Sequence, residues 1–149
     1  KRYTHEGGVS TPLIVHWPAG LKAKGELRHA PSHIIDVAPT CLSAAGLAGK
    51  ATEGKSLLPL FAKDSKKERT LYWEHEGNRA VRKGNYKLVA VHETPWELYD
   101  MSKDRSELKD LSSTLPKKAK ELRTLYEAWA KRVGALPWNE VNVKKEKKK

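Results

Sequence analysis

The chain opens Lys1-Arg2-Tyr3-Thr4-His5-Glu6-Gly7-Gly8-Val9-Ser10-Thr11-Pro12-Leu13-Ile14-Val15-His16-Trp17-Pro18, and the order of residue types restricts what it can become. Two adjacent glycines permit positive φ or a close approach to another backbone, so the polar loop before them can fold back tightly. Leu13, Ile14 and Val15 then form a continuous apolar run with Trp17 beyond. That composition suits a strand covered on both faces, and Pro18 ends its ladder. The expectation is a buried strand with a polar loop at its edge.

Charge and length narrow the class. A chain of 149 residues is long enough for one domain that buries roughly 68–70% of its unfolded surface. The formal net charge of +11 invites a polyanion reading. Five lysines against Glu146 in residues 144–149 supply four of those charges, and like-charged runs of this kind are usually solvated tails. Cys41 is the only cysteine. It excludes an intrachain disulfide, and its apolar neighbours predict a buried thiol. No apolar run approaches the ~20 residues that cross a bilayer. With no initiating Met and a start inside a motif, the chain reads as a piece of a longer protein.

Along the chain, residues 19–33 are a polar connection in which His29 and His33 lack a carboxylate or Cys at ligand spacing, and they read as surface histidines. Ile34 to Gly46 predicts a short core helix capped by Asp36, with Pro39 in its first turn, Cys41, Leu42 and Ala45 facing inward and Gly46 as the stop. Residues 47–70 return to loop. Gly49 followed by Gly54-Lys55-Ser56 satisfies the bare phosphate-loop spacing. The context excludes it, because no buried strand precedes it and Pro59 interrupts the helix it would need.

Residues 69–100 read as an antiparallel meander: strands over 69–76, 79–82, 86–91 and 96–100, with turns at Gly77-Asn78 and Lys83-Gly84-Asn85. Glu74, His75, Asn78 and Arg79 crowd the tip of its first hairpin, where a histidine beside carboxylates can act as acid or base. Surface ion pairs within the turn are the plain alternative. Leu122, Leu125, Tyr126, Trp129 and Val133 recur at helical spacing and predict a helix over 116–133, capped by Ser113 or Thr114 and closed by Gly134.

These motifs together resemble the formylglycine-dependent sulfatases of the arylsulfatase family. The resemblance rests on Lys1, four residues, Glu6-Gly7-Gly8, three residues, Pro12 and the apolar run to Trp17-Pro18; on Ile35-Asp36-Val37-Ala38-Pro39-Thr40; on Ser56 to Phe61; on Leu71 to Val89; and on Glu97-Leu98-Tyr99-Asp100 with Asp104, Glu107 and Asp110. It implies an α+β chain (α/β in the parent): an edge strand and helix of the sulfatase core, then a four-stranded antiparallel sheet packed against one long C-terminal helix. The implied division is residues 1–68 as the end of the catalytic, alkaline-phosphatase-like domain, 69–139 as the sheet and helix, and 140–149 as a basic tail. In the family a lysine at the position of Lys1 contacts the sulfate, and hairpins of the smaller domain lean over the substrate, which makes His75, Asn78, Glu74 and Arg79 candidates to touch it.

The family's nucleophile is formylglycine, made in a Cys/Ser-x-Pro-x-Arg motif beside a calcium ion. The sequence contains no such motif, so no cofactor is expected in this piece, and calcium and formylglycine are expected in the parent. The implied partners are a sulfate ester and an N-terminal catalytic region, in a periplasmic, extracellular or lysosomal setting. His5 departs from the family, where an aromatic such as Tyr is common. The rival reading is a non-catalytic basic module that binds nucleic acid or other polyanions, whose affinity would fall steeply with salt.

Overall fold

The structure, a computed structural model, describes residues 2–22, 24–47 and 53–141. It divides into two compact units. One joins the residues up to Pro12 with those from Arg69 onward, and the other is Leu13–Glu68. The first segment therefore packs with the sheet, whereas the sequence motifs grouped it with residues 13–68.

The sheet unit is built from β1 (Thr70–His75), β2 (Asn78–Lys83), β3 (Tyr86–Ala90) and β4 (Glu97–Asp100), antiparallel throughout and in the order β1-β2-β3-β4. Each tight connection uses left-handed backbone: Glu76 (φ 52°) and Gly77 (φ 81°) turn the first hairpin, and Gly84 (φ 58°) the second. A Cβ on Gly77 would lie 2.5 Å from His92 Nδ1, so only glycine fits there. The first turn thus falls one residue earlier than Gly77-Asn78, and Asn78 becomes the first residue of β2.

Alternation along the strands separates two faces. Tyr72, Val81, Leu88 and Leu98 lie in register on one face. They pack against Leu122 and Tyr126 of helix α4 (Pro116–Val133), whose flanks add Ala119, Trp129 and Ala130. Trp129 stacks on Tyr72 at 5.0 Å, and Tyr126 meets Trp96 edge-on at 5.2 Å. Gly134 closes α4 at φ 71°, as its position implied. The start differs: Leu115 is the N-cap and no side chain caps it, because residues 111–115 already form a hydrogen-bonded turn that leads into the helix.

The opposite face carries Trp73, Ala80, Val89, Tyr99 and Met101. Residues 2–10 lie along it, with α1 (Glu6–Val9) as a single helical turn. A Cβ on Gly8 would fall 1.9 Å from the Tyr3 carbonyl oxygen, so the second glycine of the pair is required by a close backbone approach.

In the Leu13–Glu68 unit the expected buried strand is absent. Leu13, Ile14 and Val15 belong to no strand, and Ile14 is 88% exposed. An apolar run becomes a strand only where a ladder partner accepts its backbone hydrogen bonds, and none does so among the described residues. A 3-10 turn at Ile34–Asp36 leads into α2 (Val37–Ala44), and α3 (Leu58–Ala62) forms within the stretch read as loop, with Pro59 in its first turn.

Asp36 is wholly buried, but it does not cap α2 through its side chain. Its carboxylate reaches back to the His33 amide and across to the Lys55 amide, both at 2.8 Å. It therefore ties the Gly54-Lys55 loop to the helix start, where Gly54 passes so close to the Ile35 carbonyl that a Cβ would lie 2.0 Å away. Thr40 completes the tie by accepting the Leu57 amide. Cys41 is exposed, which corrects the buried-thiol expectation: α2 buries no residue and offers the thiol nothing to pack against. Gly49 and residues 142–149 lie outside the described residues.

Candidate functional site

The opening segment and the first hairpin tip meet on the sheet face away from α4. Asn78 is buried and fully engaged. Its Nδ2 donates to the Arg2 and His75 carbonyls at 3.3 and 2.9 Å, and its Oδ1 accepts the His92 amide at 3.2 Å. One carboxamide thus joins the opening segment, the hairpin and the β3–β4 loop. Thr4 donates its hydroxyl to the Arg79 carbonyl at 3.2 Å, and Arg2 pairs with Glu76 at 2.6 Å. Against the opening segment lies a groove of about 510 Å³ lined by Arg2, Tyr3, His5, Gly7, Gly8 and Val91, and no residue of the hairpin tip lines it.

The four hairpin candidates divide between the faces. His75 and Asn78 pair across the strands on the groove side, and His75 is exposed. Glu74 and Arg79 pair on the α4 side. There the Arg79 guanidinium lies 4.7 Å from the Trp96 ring, a cation–π contact. Glu74 accepts the Gly77 amide at 3.0 Å and so shapes the turn. Burial pushes the Tyr126 hydroxyl up to about 12, with the Glu74 charge adding to the rise and Arg79 opposing it. Asn78 and Glu74 therefore hold the tip together, and His75 is the candidate whose imidazole remains open on the groove side. Lys1 lies outside the described residues.

Beneath the segment is a charge cluster that sequence reading did not single out. Lys87 of β3 is wholly buried, 2.8 Å from Glu107 and 3.4 Å from Glu6. Arg105 reaches the other oxygen of Glu6 at 3.3 Å. The Glu6 amide donates to Glu107 at 2.7 Å. Burial draws the neighbouring Arg82 guanidinium below its ordinary value; Glu6 opposes this and Arg105 adds to it. At the edge of the cluster His5 lies 3.4 Å from Glu97, and burial together with Glu97 raises the Tyr99 hydroxyl well above its usual range. Lysine in the run Tyr86-Lys87-Leu88-Val89 was the available signal, since a cation between apolar strand residues on a covered sheet needs a buried partner.

The arrangement can present Arg2 and the His5 ring along a shallow groove, with the exposed His75 on the same face of the sheet. It does not fit a calcium ion: among the described residues no three His, Cys, Asp or Glu side chains come together as ligands. Nor does it supply a formylglycine precursor, and no chemical step through either group follows from these residues.

The four-stranded meander packed against one helix belongs to a fold shared with solved structures. One of them, in complex with its substrate D-glucosamine-2-N,6-O-disulfate, superposes with a TM-score of 0.64 and 26% identity over 83% of this chain and 29% of the other. The family described as N-sulphoglucosamine sulphohydrolase, C-terminal, matches residues 1–131, and the chain belongs to this sulfatase family. Among curated relatives it is 32% identical over 139 residues to an uncharacterised sulfatase of Schizosaccharomyces pombe, covering 82% of this chain and 25% of that protein. It is 31% identical over 145 residues to the N-acetylglucosamine-6-O-sulfatase of Bacteroides thetaiotaomicron, covering 85% and 26%. The chain thus spans about a quarter of the length of these relatives.

Proposed function

We propose that the chain acts as the C-terminal part of an enzyme that hydrolyses sulfate esters of sugars, and that it supplies one side of the substrate pocket. The observation that carries the reading is the family match over residues 1–131, which includes both the opening segment and the whole sheet. Lys1 contacts the sulfate in this reading. A lysine about 4 Å from a sulfate oxygen contributes about 4 kcal/mol of attraction at an effective dielectric near 20, before desolvation is subtracted. His75, on the groove face, contacts the sugar or its leaving oxygen, with Asn78 fixing the hairpin that carries it. The nucleophile and the calcium belong to residues outside this chain, so residues 1–68 act with a catalytic domain and residues 69–139 as its smaller companion.

The Bacteroides thetaiotaomicron relative is named for N-acetylglucosamine-6-sulfate and one solved neighbour holds a disulfated glucosamine, which supports N-acetylglucosamine-6-sulfate as the first substrate to assay. The test compares the 149-residue chain with the full-length gene product. The full-length protein is expected to release sulfate and the chain alone to release none. Turnover by the isolated chain, or a full-length protein inert on every sulfated sugar and aryl sulfate, would overturn the proposal. The polyanion-binding rival predicts instead a gel shift with nucleic acid that weakens steeply with salt.

A further inference from the structure

The buried charges around Lys87 join three stretches distant in sequence: α1 through Glu6, β3 through Lys87 and the loop after β4 through Arg105 and Glu107. Such a cluster is a weak source of net stability, because taking each ion out of water offsets much of the attraction it gains. An apolar side chain at residue 87 could pack between Trp73 and Tyr99 on the same face. What it could not do is select which backbone lies across the sheet.

The opening segment has other ties, and Thr4, near Glu6 in sequence, is buried. Tyr3 is exposed, and Val9 is only half-buried. Beside the cluster's contacts, which include Arg105 donating to Ser10 at 3.3 Å, the segment is tied by the bonds of Asn78 and Thr4, the Arg2–Glu76 pair and the long His5–Glu97 contact. Among these ties, Glu6 is the one that meets a wholly buried cation.

We propose that Lys87 is a positioning residue: its buried ammonium draws Glu6 onto Glu107 and so fixes residues 2–10, the segment that the function proposed above sets beside the sulfate. The link to sulfate rests on the function proposed above, whereas the clamp itself does not. Without Lys87, Arg105 at 3.3 Å is the cation left to Glu6, its side chain largely exposed, and Glu107 loses its 2.8 Å partner; the route to relief is for Glu6 to move toward water with Arg105 and its own segment. The core on the α4 face shares no side chain with the cluster and stays folded.

The test has two parts. Hydrogen exchange of the 149-residue chain follows Lys87→Met and Glu6→Gln. Amides of residues 4–10 are expected to lose protection by about tenfold or more while those of β2 and α4 keep theirs. The full-length gene product is then assayed on N-acetylglucosamine-6-sulfate, where Lys87→Met is expected to lower kcat/KM by about 100-fold, as a misplaced contact of about 1 Å does. If Lys87→Met does not fold, Glu6→Gln, which keeps the side chain's size at the cluster's edge, carries both measurements.

Unchanged protection of residues 4–10 in a folded variant would overturn the clamp. Lost protection with unchanged kcat/KM would overturn the positioning role. Lys1→Ala is run alongside: if it too leaves kcat/KM unchanged, the sulfate-contact reading has failed, while a clamp seen in exchange still stands.

Discussion

The two units bury their apolar residues very differently. In the sheet unit Val81, Leu88, Leu98 and Leu122 are wholly inaccessible, and the aromatic residues of α4 interlock with those of β1 and the β3–β4 loop. In residues 13–68 the large aliphatic residues Leu13, Ile14, Leu27 and Ile34 stand in solvent, and the buried side chains among the described residues are Leu57 and the carboxylate of Asp36. The sheet unit has a broad packed apolar core, whereas the other relies more on hydrogen bonds to backbone amides around Asp36 and Thr40. Strands joined by tight turns find their partners within a few residues, so a meander completes its own ladder and core. A single apolar run flanked by loops has no local partner, and its sequence states a requirement that the rest of its unit does not meet.

The contrast can be broken by mutation. Leu122→Ala, in the filled core, is expected to cost about 2–5 kcal/mol in denaturant unfolding, because the cavity it leaves cannot collapse between helix and sheet. Removal of the Asp36 carboxylate in Asp36→Ala is expected to cost about 1–3 kcal/mol by orphaning the His33 and Lys55 amides. That loss should appear as faster exchange confined to residues 33–57. Ile14→Ala, by contrast, should stay within about 0.5 kcal/mol. Equal costs for Leu122→Ala and Ile14→Ala would erase the distinction between the units.

Two further substitutions sharpen it inside the sheet unit. Gly8→Ala drives a methyl into the Tyr3 carbonyl and is expected to cost about 1–3 kcal/mol or to release the opening segment. Gly7→Ala, with open space around it, is expected to be tolerated. Smaller still is an acid effect on α4. Lys118 and Lys83 hold the Glu121 carboxyl down at about 2, from an ordinary 4.5. Because the folded value is the lower one, the stabilisation is complete above pH 4.5 and disappears as the pH falls from there toward 2. Glu121→Gln should flatten that part of an acid-unfolding curve. Added salt should do the same, since all three side chains are more than a third exposed.

What could be read from the sequence follows the same division. Period-two alternation and turn glycines placed all four strands within a residue or two, and the Leu122-Tyr126-Trp129 spacing placed α4 from Pro116 to Val133. Position relative to a face was harder. Glu74, His75, Asn78 and Arg79 sit together in sequence, yet the pleat sends Glu74 and Arg79 toward α4 and only His75 and Asn78 toward the groove. The Gly7-Gly8 pair announced a close approach but not its partner. The Lys87–Glu6–Glu107 cluster was not anticipated, because its members are 81 and 20 residues apart and nothing local links them. Cys41 and Asp36 show the converse: an apolar neighbourhood did not bury the thiol, and a capping residue type served a loop instead of its own helix.

The most direct measurement is the effect of Lys1→Ala on the full-length gene product acting on N-acetylglucosamine-6-sulfate. The expected result is a fall in kcat/KM of about 100-fold or more, the scale on which loss of one preorganised contact to a reacting anion is felt, with thermal stability unchanged. Sulfate release at the wild-type rate would contradict the assignment of the opening segment as one wall of a sulfate pocket.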